Sequence, residues 1–431
     1  MTNIATSKLS TFNATKISNV IQTEASNLYV FIARPQPWND ESNPDALYDT
    51  VESEFKIWDS MISLRKVLPT NSTLVIPRID WKIGTYFTSF DDKDPELKNK
   101  NFYVMNRDFG VYICIDNNKN TYSTIEPSGE SLETFSLSDG YSWKYLYTIS
   151  PTAQLKFLTS NWIPVLSNSD VVNSSIDGKI DKIKVVTSGS GYTVANTNVI
   201  ISGNGSNLSA IPKIVDGKVD SIIVTNGGID YRYATATIMG DGSGATANVI
   251  IPAYGGHGYN PINDLFAKYL MINNRLIRDI SNSDFPTNVS YRTIGIIDNV
   301  KTLNGNYFTN TTANANYVVS ILADSGANFS PDQYFTGNIS LANAYIVDSN
   351  FDGNSNTTLR YIQTTELTNN FKKFVVGEQI TTSLTGSSGT VTGIYSPDVK
   401  RYTGDIIYVD NRTAITRSID QVENIHIVLE F

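Results

Sequence analysis

The sequence predicts a mainly β chain with minor α (α+β), multi-domain, made of β-sandwich-like modules with a glycine-rich β-repeat insertion. Three observations carry this. Short runs rich in Val, Ile, Thr, Tyr and Phe, bounded by Gly, Asn, Asp and Pro, recur along most of the chain, which is the pattern of strands and tight turns. A central segment repeats at an offset of about 39 residues, 178–192 matching 217–231. At 431 residues the chain exceeds one compact core, and 40% hydrophobic residues, with 24 Tyr, 18 Phe and 5 Trp, suffice for two or three cores.

Along residues 1–165 helical and strand periods mix. Residues 28–33 read as an apolar strand cut off by Arg34-Pro35-Gln36-Pro37-Trp38. From 49 to 67, Val51, Phe55, Trp58, Met61, Ile62 and Leu64 recur at three- and four-residue steps. Glu52, Glu54, Lys56 and Asp59 fall mostly between them, predicting one amphipathic helix that stops before Pro69. Further strands are expected at 73–76, 112–115 and 145–149. Near Asn168 the texture changes to Gly/Ser/Asn turns between short Ile/Val/Thr strands. The two repeat copies alternate apolar with polar residues, so each strand should bury one face, and two hairpin units should stack into a small β module. Beyond it lie a short helix expected at 262–272 and strands at 291–297, 317–322, 344–347 and 359–363. A strand, turn and strand follow over 374–391. In the tail Ile425, Ile427, Leu429 and Phe431 alternate with His426, Val428 and Glu430, predicting a terminal strand locked into a sheet of its own or of a partner. The expected organisation is a discontinuous core domain of residues 1–170 with 396–431, a repeat module at 171–260 and a second mostly-β module at 261–395.

Composition narrows function. Charged residues are only 17%, below the roughly 25% usual for soluble domains. With 33 basic against 42 acidic residues the net charge is -9, which disfavours nucleic acid as a partner. The single cysteine, Cys114, rules out an intrachain disulfide framework and a cysteine metal site. No stretch reaches the roughly 20 apolar residues of a membrane helix, and the amino terminus lacks a secretory pattern. The chain is therefore expected to be made in the cytosol, with no membrane partner.

Candidate chemistry is sparse. His257, in Gly255-Gly256-His257-Gly258, reads as an exposed turn residue, since no Gly-x-Ser-x-Gly elbow supplies a nucleophile. His426 reads as an outward strand residue. Asp348, Asn350, Asp352 and Gly353 match half of a calcium loop, but Leu359 stands where the bidentate carboxylate belongs, leaving an Asx-rich turn. Asp116-Asn117-Asn118-Lys119-Asn120 lacks the required glycine, and Gly240, Gly242 and Gly244 have the wrong spacing for a dinucleotide loop. A carboxylate pair for glycoside hydrolysis leaves no local signature, so that reading stays open. Trp38, Trp81 and Trp143 are either core or platforms for a sugar or a protein. No catalytic, cofactor or metal residue is singled out, and the chain reads as a non-enzyme.

Five segments, in order, resemble the gene-product-eight family of baseplate wedge proteins from T-even-like contractile-tail phages. Arg34-Pro35-Gln36-Pro37-Trp38 resembles its Arg-x-x-Pro-Trp turn. Val67-Leu68-Pro69 with Val75-Ile76-Pro77-Arg78-Ile79-Asp80-Trp81 resembles its next block at the same separation. Val111-Tyr112-Ile113-Cys114-Ile115-Asp116 and Asp139-Gly140-Tyr141-Ser142-Trp143-Lys144-Tyr145-Leu146 resemble two more. The tail from Gly404 through Tyr408, Asn411 and Arg412 to Asp420, Gln421, Glu423 and Ile425 resembles the family's carboxyl-terminal strands. The resemblance covers residues 1–165 and 400–431. The middle departs from that pattern; its glycine repeats and the stretch from Gly256 to Gly295 are similar to segments in baseplate proteins of marine T-even-like phages. The resemblance implies a homodimeric structural subunit of the virion, linking inner wedge proteins to peripheral, fibre-connecting ones and assembled in the host cytoplasm. A carbohydrate-binding tail adhesin is the alternative that the β modules and aromatics allow.

Overall fold

The computed structural model describes residues 6–23, 27–276, 285–353, 356–364, 371–418 and 421–431. Residues 1–5 of the amino terminus, part of the 256–295 stretch, positions 354–355 of the calcium-loop candidate and Asp420 of the tail motif lie outside them. The chain is mainly β with minor α, and its contacts divide it into two compact units. One is Met1–Ser18, Thr73–Met271 and Val428–Phe431; the other is Asn19–Ser72 and Ile272–Ile427. Among the described residues no helix is long and apolar enough to cross a membrane.

In the first unit an antiparallel sheet runs Tyr103–Met105, Gly110–Asn117, Tyr141–Thr148, Phe135–Ser136. Aromatic and β-branched residues fill its buried face, where Trp143 stacks on Tyr141 at 5.6 Å and meets Phe87 edge-on at 5.7 Å. Cys114 lies fully buried in the same cluster. The turn into Tyr141–Thr148 is tied by Asp139. Its carboxylate accepts from the Thr124, Ile125 and Tyr141 N–H groups at 2.9, 3.0 and 3.1 Å. A second sheet contains Ser72–Pro77 and Trp162–Pro164 and, in this unit, the ends of Tyr269–Leu276 and Glu423–Glu430. The terminal strand thus pairs within its own chain, with Glu423, Ile425 and Ile427 buried and Asn424 and His426 exposed.

The glycine-rich repeat forms a six-stranded sheet, ordered Asn198–Gly203, Ala234–Met239, Ser243–Val249, Ile183–Ser190, Lys218–Ile229, Ser206–Val215. The two copies do not stack as separate hairpins, as the sequence suggested. They interleave. The first strand of each copy pairs with the third strand of the other, and equivalent residues face one another across a local two-fold axis, Ile183 opposite Ile222 and Val199 opposite Ile238. Neither copy alone has neighbours enough for its strands, so exchange buries both apolar faces in one core. Tyr192 and Tyr231, also equivalent, are each buried against glycine. A Cβ on Gly242 would lie 2.5 Å from the Tyr192 ring, and one on Gly205 would lie 2.5 Å from the Tyr231 ring. Turn residues cross over in the same way: Asp241 accepts from the Thr193 N–H at 2.9 Å, and Asn204 accepts from those of Arg232 and Tyr233 at 2.9 and 3.0 Å.

The second unit holds a five-stranded antiparallel sheet, Thr312–Asn314, Met61–Lys66, Tyr29–Ala33, Val289–Asp298, Asp405–Arg417, and a closed barrel of six strands between Tyr317 and Tyr395. Residues 317–395 therefore close on themselves where a sandwich-like module was expected, which leaves that sheet without open edges. In the barrel Glu378 is fully buried and its carboxylate accepts from the N–H groups of Ile339, Ser340 and Val375 at 3.2, 2.9 and 2.6 Å, pinning two loops together.

Two helix expectations change. The helix anticipated over 49–67 is Val51–Ser60, capped by Thr50, and Met61–Lys66 continues as a central strand. Its apolar residues fit both periods, and pairing with Tyr29–Ala33 decides for the strand. The helix expected at 262–272 is a single turn, Pro261–Asp264, followed by the strand Tyr269–Leu276. Phe266, at φ 51°, takes the chain out of the helical region between them. Over 374–391, the strands are Gln379–Thr382 and Ser388–Tyr395, with Phe374 to Glu378 outside both. A helix the sequence reading did not anticipate, Ser7–Gln22, buries Thr11, Ala14, Ser18 and Ile21, mostly small residues that carry little apolar signal.

Candidate functional site

The strand Tyr29–Ala33 is buried along its whole length and ends in Arg34, whose φ of 56° turns the chain sharply. The turn is held from several sides. The Arg34 N–H donates to the Ser60 carbonyl at 3.0 Å, and its guanidinium lies over the Trp38 ring, 3.7 Å from the centroid. Buried Arg292 donates to the Pro35 carbonyl at 2.6 Å and to Glu41 at 2.7 Å. Burial alone would raise the Glu41 carboxyl. The Arg292 hydrogen bond and the Trp38 N–H outweigh it and hold the group below its ordinary range.

Trp38 then reaches the other end of the chain. Its indole N–H donates to the Arg412 carbonyl at 2.7 Å, while the Asn411 side chain donates to the Asp45 carbonyl at 3.0 Å and accepts from Thr293 at 2.8 Å. Here the pairing of Val289–Asp298 with Asp405–Arg417 shifts register between Tyr291 and Thr293, so the edge strand bulges over 412–414 and offers a carbonyl outward. Arg34–Trp38 and the tail motif around Tyr408–Arg412, far apart in sequence, thus form one structural junction.

Beside the junction lies a cleft of about 710 Å³ walled by Arg34, Gln36, Trp38, Asp45, Leu47, Tyr48, Lys56, Thr293, Thr364 and Asn411. Gln36 is only 5% exposed, and its amide nitrogen has no hydrogen-bond partner among the described residues. Next to it, residues 45–55 present Leu47, Tyr48, Val51 and Phe55 at 43–69% exposure, interspersed with Asp45, Asp49, Glu52 and Glu54. The periodicity had placed Val51 and Phe55 on a core-facing stripe. Only the last turn of Val51–Ser60 is buried, at Trp58, Asp59 and Ser60, so these two face outward. Charged and polar groups rimming an apolar strip suit a polypeptide surface.

The other candidates fall elsewhere. His257 is buried, not exposed: its ring meets Phe90 edge-on at 4.5 Å and its Nδ1 lies 3.7 Å from Asp264 Oδ1. The Gly255–Gly258 turn is packed inward because Ser175 donates to the His257 carbonyl and the Gly258 N–H donates to Asp264. Asp352 accepts from the Asn356 backbone and side chain, an Asx-type closure of a hairpin. Asp116 pairs with Lys182, and Gly242 abuts Tyr192. Among the described residues no group of three or more His, Cys, Asp or Glu side chains is placed to hold a metal. Trp143 is core, Trp81 is partly buried with its indole donating to Ser123 at 3.0 Å, and Trp38 is the junction residue. The Cys114 thiol is pushed well up by burial, which makes it unreactive. Sequence reasoning missed Gln36 and the 45–50 segment; the signal available was an acidic and apolar run just before a helix cap.

No family model matches the chain. It is similar to the baseplate wedge protein gp8 of Enterobacteria phage T4, at 24% identity, over 38% of this chain and 60% of the T4 protein's length. The likeness is to a phage baseplate protein. The matched part is thus less than two thirds of that relative.

Proposed function

We propose that this chain is a structural, non-enzymatic subunit of a phage contractile-tail baseplate wedge. In this reading it is a homodimer that joins inner wedge proteins to peripheral, fibre-connecting ones in the virion. The supporting observation is the junction itself: two segments that resemble the wedge family meet through Trp38 and Arg412, beside a cleft and an exposed apolar strip suited to a protein. The similarity to the T4 wedge protein supports the same assembly. Co-expression with the other baseplate proteins of the same tail, followed by electron microscopy, tests it. The expected result is a stoichiometric subassembly containing this chain; a chain that binds none of them overturns the reading. The adhesin alternative drew on Trp38, Trp81 and Trp143, and their rings are engaged as described above. A glycan array read against the purified protein tests that alternative.

A further inference from the structure

The helix Ser7–Gln22 is built inside out for an isolated protein. Its buried face is Thr11, Ala14, Ser18 and Ile21, whereas Leu9, Phe12, Ile17 and Val20, 36–55% exposed, share the opposite face. Its only charged residues are Lys8 and Lys16, with no acid anywhere along it, in a chain of net charge -9. The exposed strip at 45–55 has the converse character: four apolar side chains among Asp45, Asp49, Glu52 and Glu54. An apolar helical stripe with i, i+3 and larger steps is the pattern that docks in a groove, and charge decides which groove. Self-pairing of the helix would juxtapose four lysines. Docking on the strip matches apolar content and its net acidity, which remains with Asp45 paired to Arg34 at 3.7 Å and Glu52 to Lys56 at 3.0 Å.

The geometry points to a reciprocal contact in which the helix Ser7–Gln22 of one copy lies on the 45–55 strip of a second copy, and the reverse. Related by a two-fold axis, the two contacts close a dimer and bury on the order of 1,000 Å², the scale a stable interface needs. This inference rests on the homodimer proposed above and names its interface.

Light scattering and sedimentation of the full chain test it, using Lys8→Glu with Lys16→Glu, Glu52→Lys with Glu54→Lys, and all four together. Lys8, Lys16 and Glu52 are exposed and Glu54 is half-buried. Each charge-reversed pair should weaken the dimer about tenfold or more, and the combination should restore it to within about threefold. Phe12→Asp should weaken it without rescue. A crosslink gives the register. Because Cys114 is buried, a single introduced cysteine is the reactive one. Asn13→Cys mixed with Asp49→Cys should crosslink with a bifunctional maleimide, and neither variant alone should. Crosslinking of Asn13→Cys by itself means helix self-pairing and overturns the proposal. A dimer indifferent to all these changes also overturns it while leaving the wedge role intact, since that role is read separately by co-purification with baseplate proteins. A wild-type chain that stays monomeric at high concentration removes the interface and the dimer together.

Discussion

Arg417 is 1% exposed and donates to Glu423 at 2.7 Å and to the Pro286 carbonyl at 2.9 Å. Burial drives the Glu423 carboxyl above its ordinary value, against the opposing attraction and hydrogen bond of Arg417. A raised folded value means that this group favours folding most when protonated; that contribution is complete below its unfolded value and is lost as pH rises through the folded one. Arg417→Met leaves the carboxylate buried and unpaired and should cost about 3–5 kcal/mol at neutral pH. The loss should narrow on acidification to about pH 4.5, because the unopposed carboxyl then protonates. Urea unfolding at the two pH values measures both; a deficit that does not shrink in acid refutes the assignment. At the junction, Trp38→Ala removes a buried ring, its stacking with Arg34 and its bond to Arg412, and should cost about 3–5 kcal/mol by the same assay. The sequence marks Trp38, Trp81 and Trp143 as important without saying why, since core and platform use the same residue. It misplaces His257, because a Gly-Gly-His-Gly run looks like solvent-exposed turn until Phe90 is seen to cover it.

Among the elements, the interleaved repeat is the most constrained. Gly205 and Gly242 are equivalent, and an added Cβ at either meets an equivalent tyrosine ring at the same 2.5 Å. Gly205→Ala and Gly242→Ala should therefore destabilise by similar amounts, about 1–3 kcal/mol each, through overpacking. Thermal unfolding of the two variants checks this, and a large difference between them would contradict the two-fold environment. Asp241 adds an acid-sensitive element. Its hydrogen bonds from the Thr193 hydroxyl and N–H lower the carboxyl to about 2, so its hold on the Thr193 loop is present above the ordinary carboxylate range and fades as pH falls through that value. The repeat and its strands are legible in the sequence because alternation and paired glycines are local signals. Strand exchange is not, since both arrangements bury the same faces. The two misjudged helices fail for one reason: Met61–Lys66 and Tyr269–Leu276 are apolar enough to satisfy either period.

At the scale of the whole molecule, the repeat enters and leaves its unit at one place, where the Ile250 N–H donates to the Lys182 carbonyl at 3.1 Å. Its ties to the neighbouring sheet are polar: Lys182 with Asp116, Lys179 with Glu133 and Lys119 with Asp220. Partly exposed pairs of this kind contribute little, about 0–1 kcal/mol each. Its core, by contrast, comes from its own strands. Replacing residues 183–249 with a short Gly/Ser linker should leave the remaining chain cooperatively folded, and residues 178–251 should fold when expressed alone. Circular dichroism and limited proteolysis of the two pieces test this; loss of structure in the excised chain would show that the repeat is needed for the rest to fold.

Local chemistry was enough to determine the β character of this chain, its duplication, its scarcity of reactive groups and the segments that resemble a baseplate protein. Each of these follows from composition and short-range period. Tertiary structure alone decided that Trp38 meets Arg412 across most of the chain, that two repeat copies trade strands, and that Leu9, Phe12, Ile17 and Val20 of Ser7–Gln22 point outward while Ile21 is buried. Those outcomes depend on which surfaces win the competition for burial, and that competition involves residues too distant in sequence for any local pattern to register.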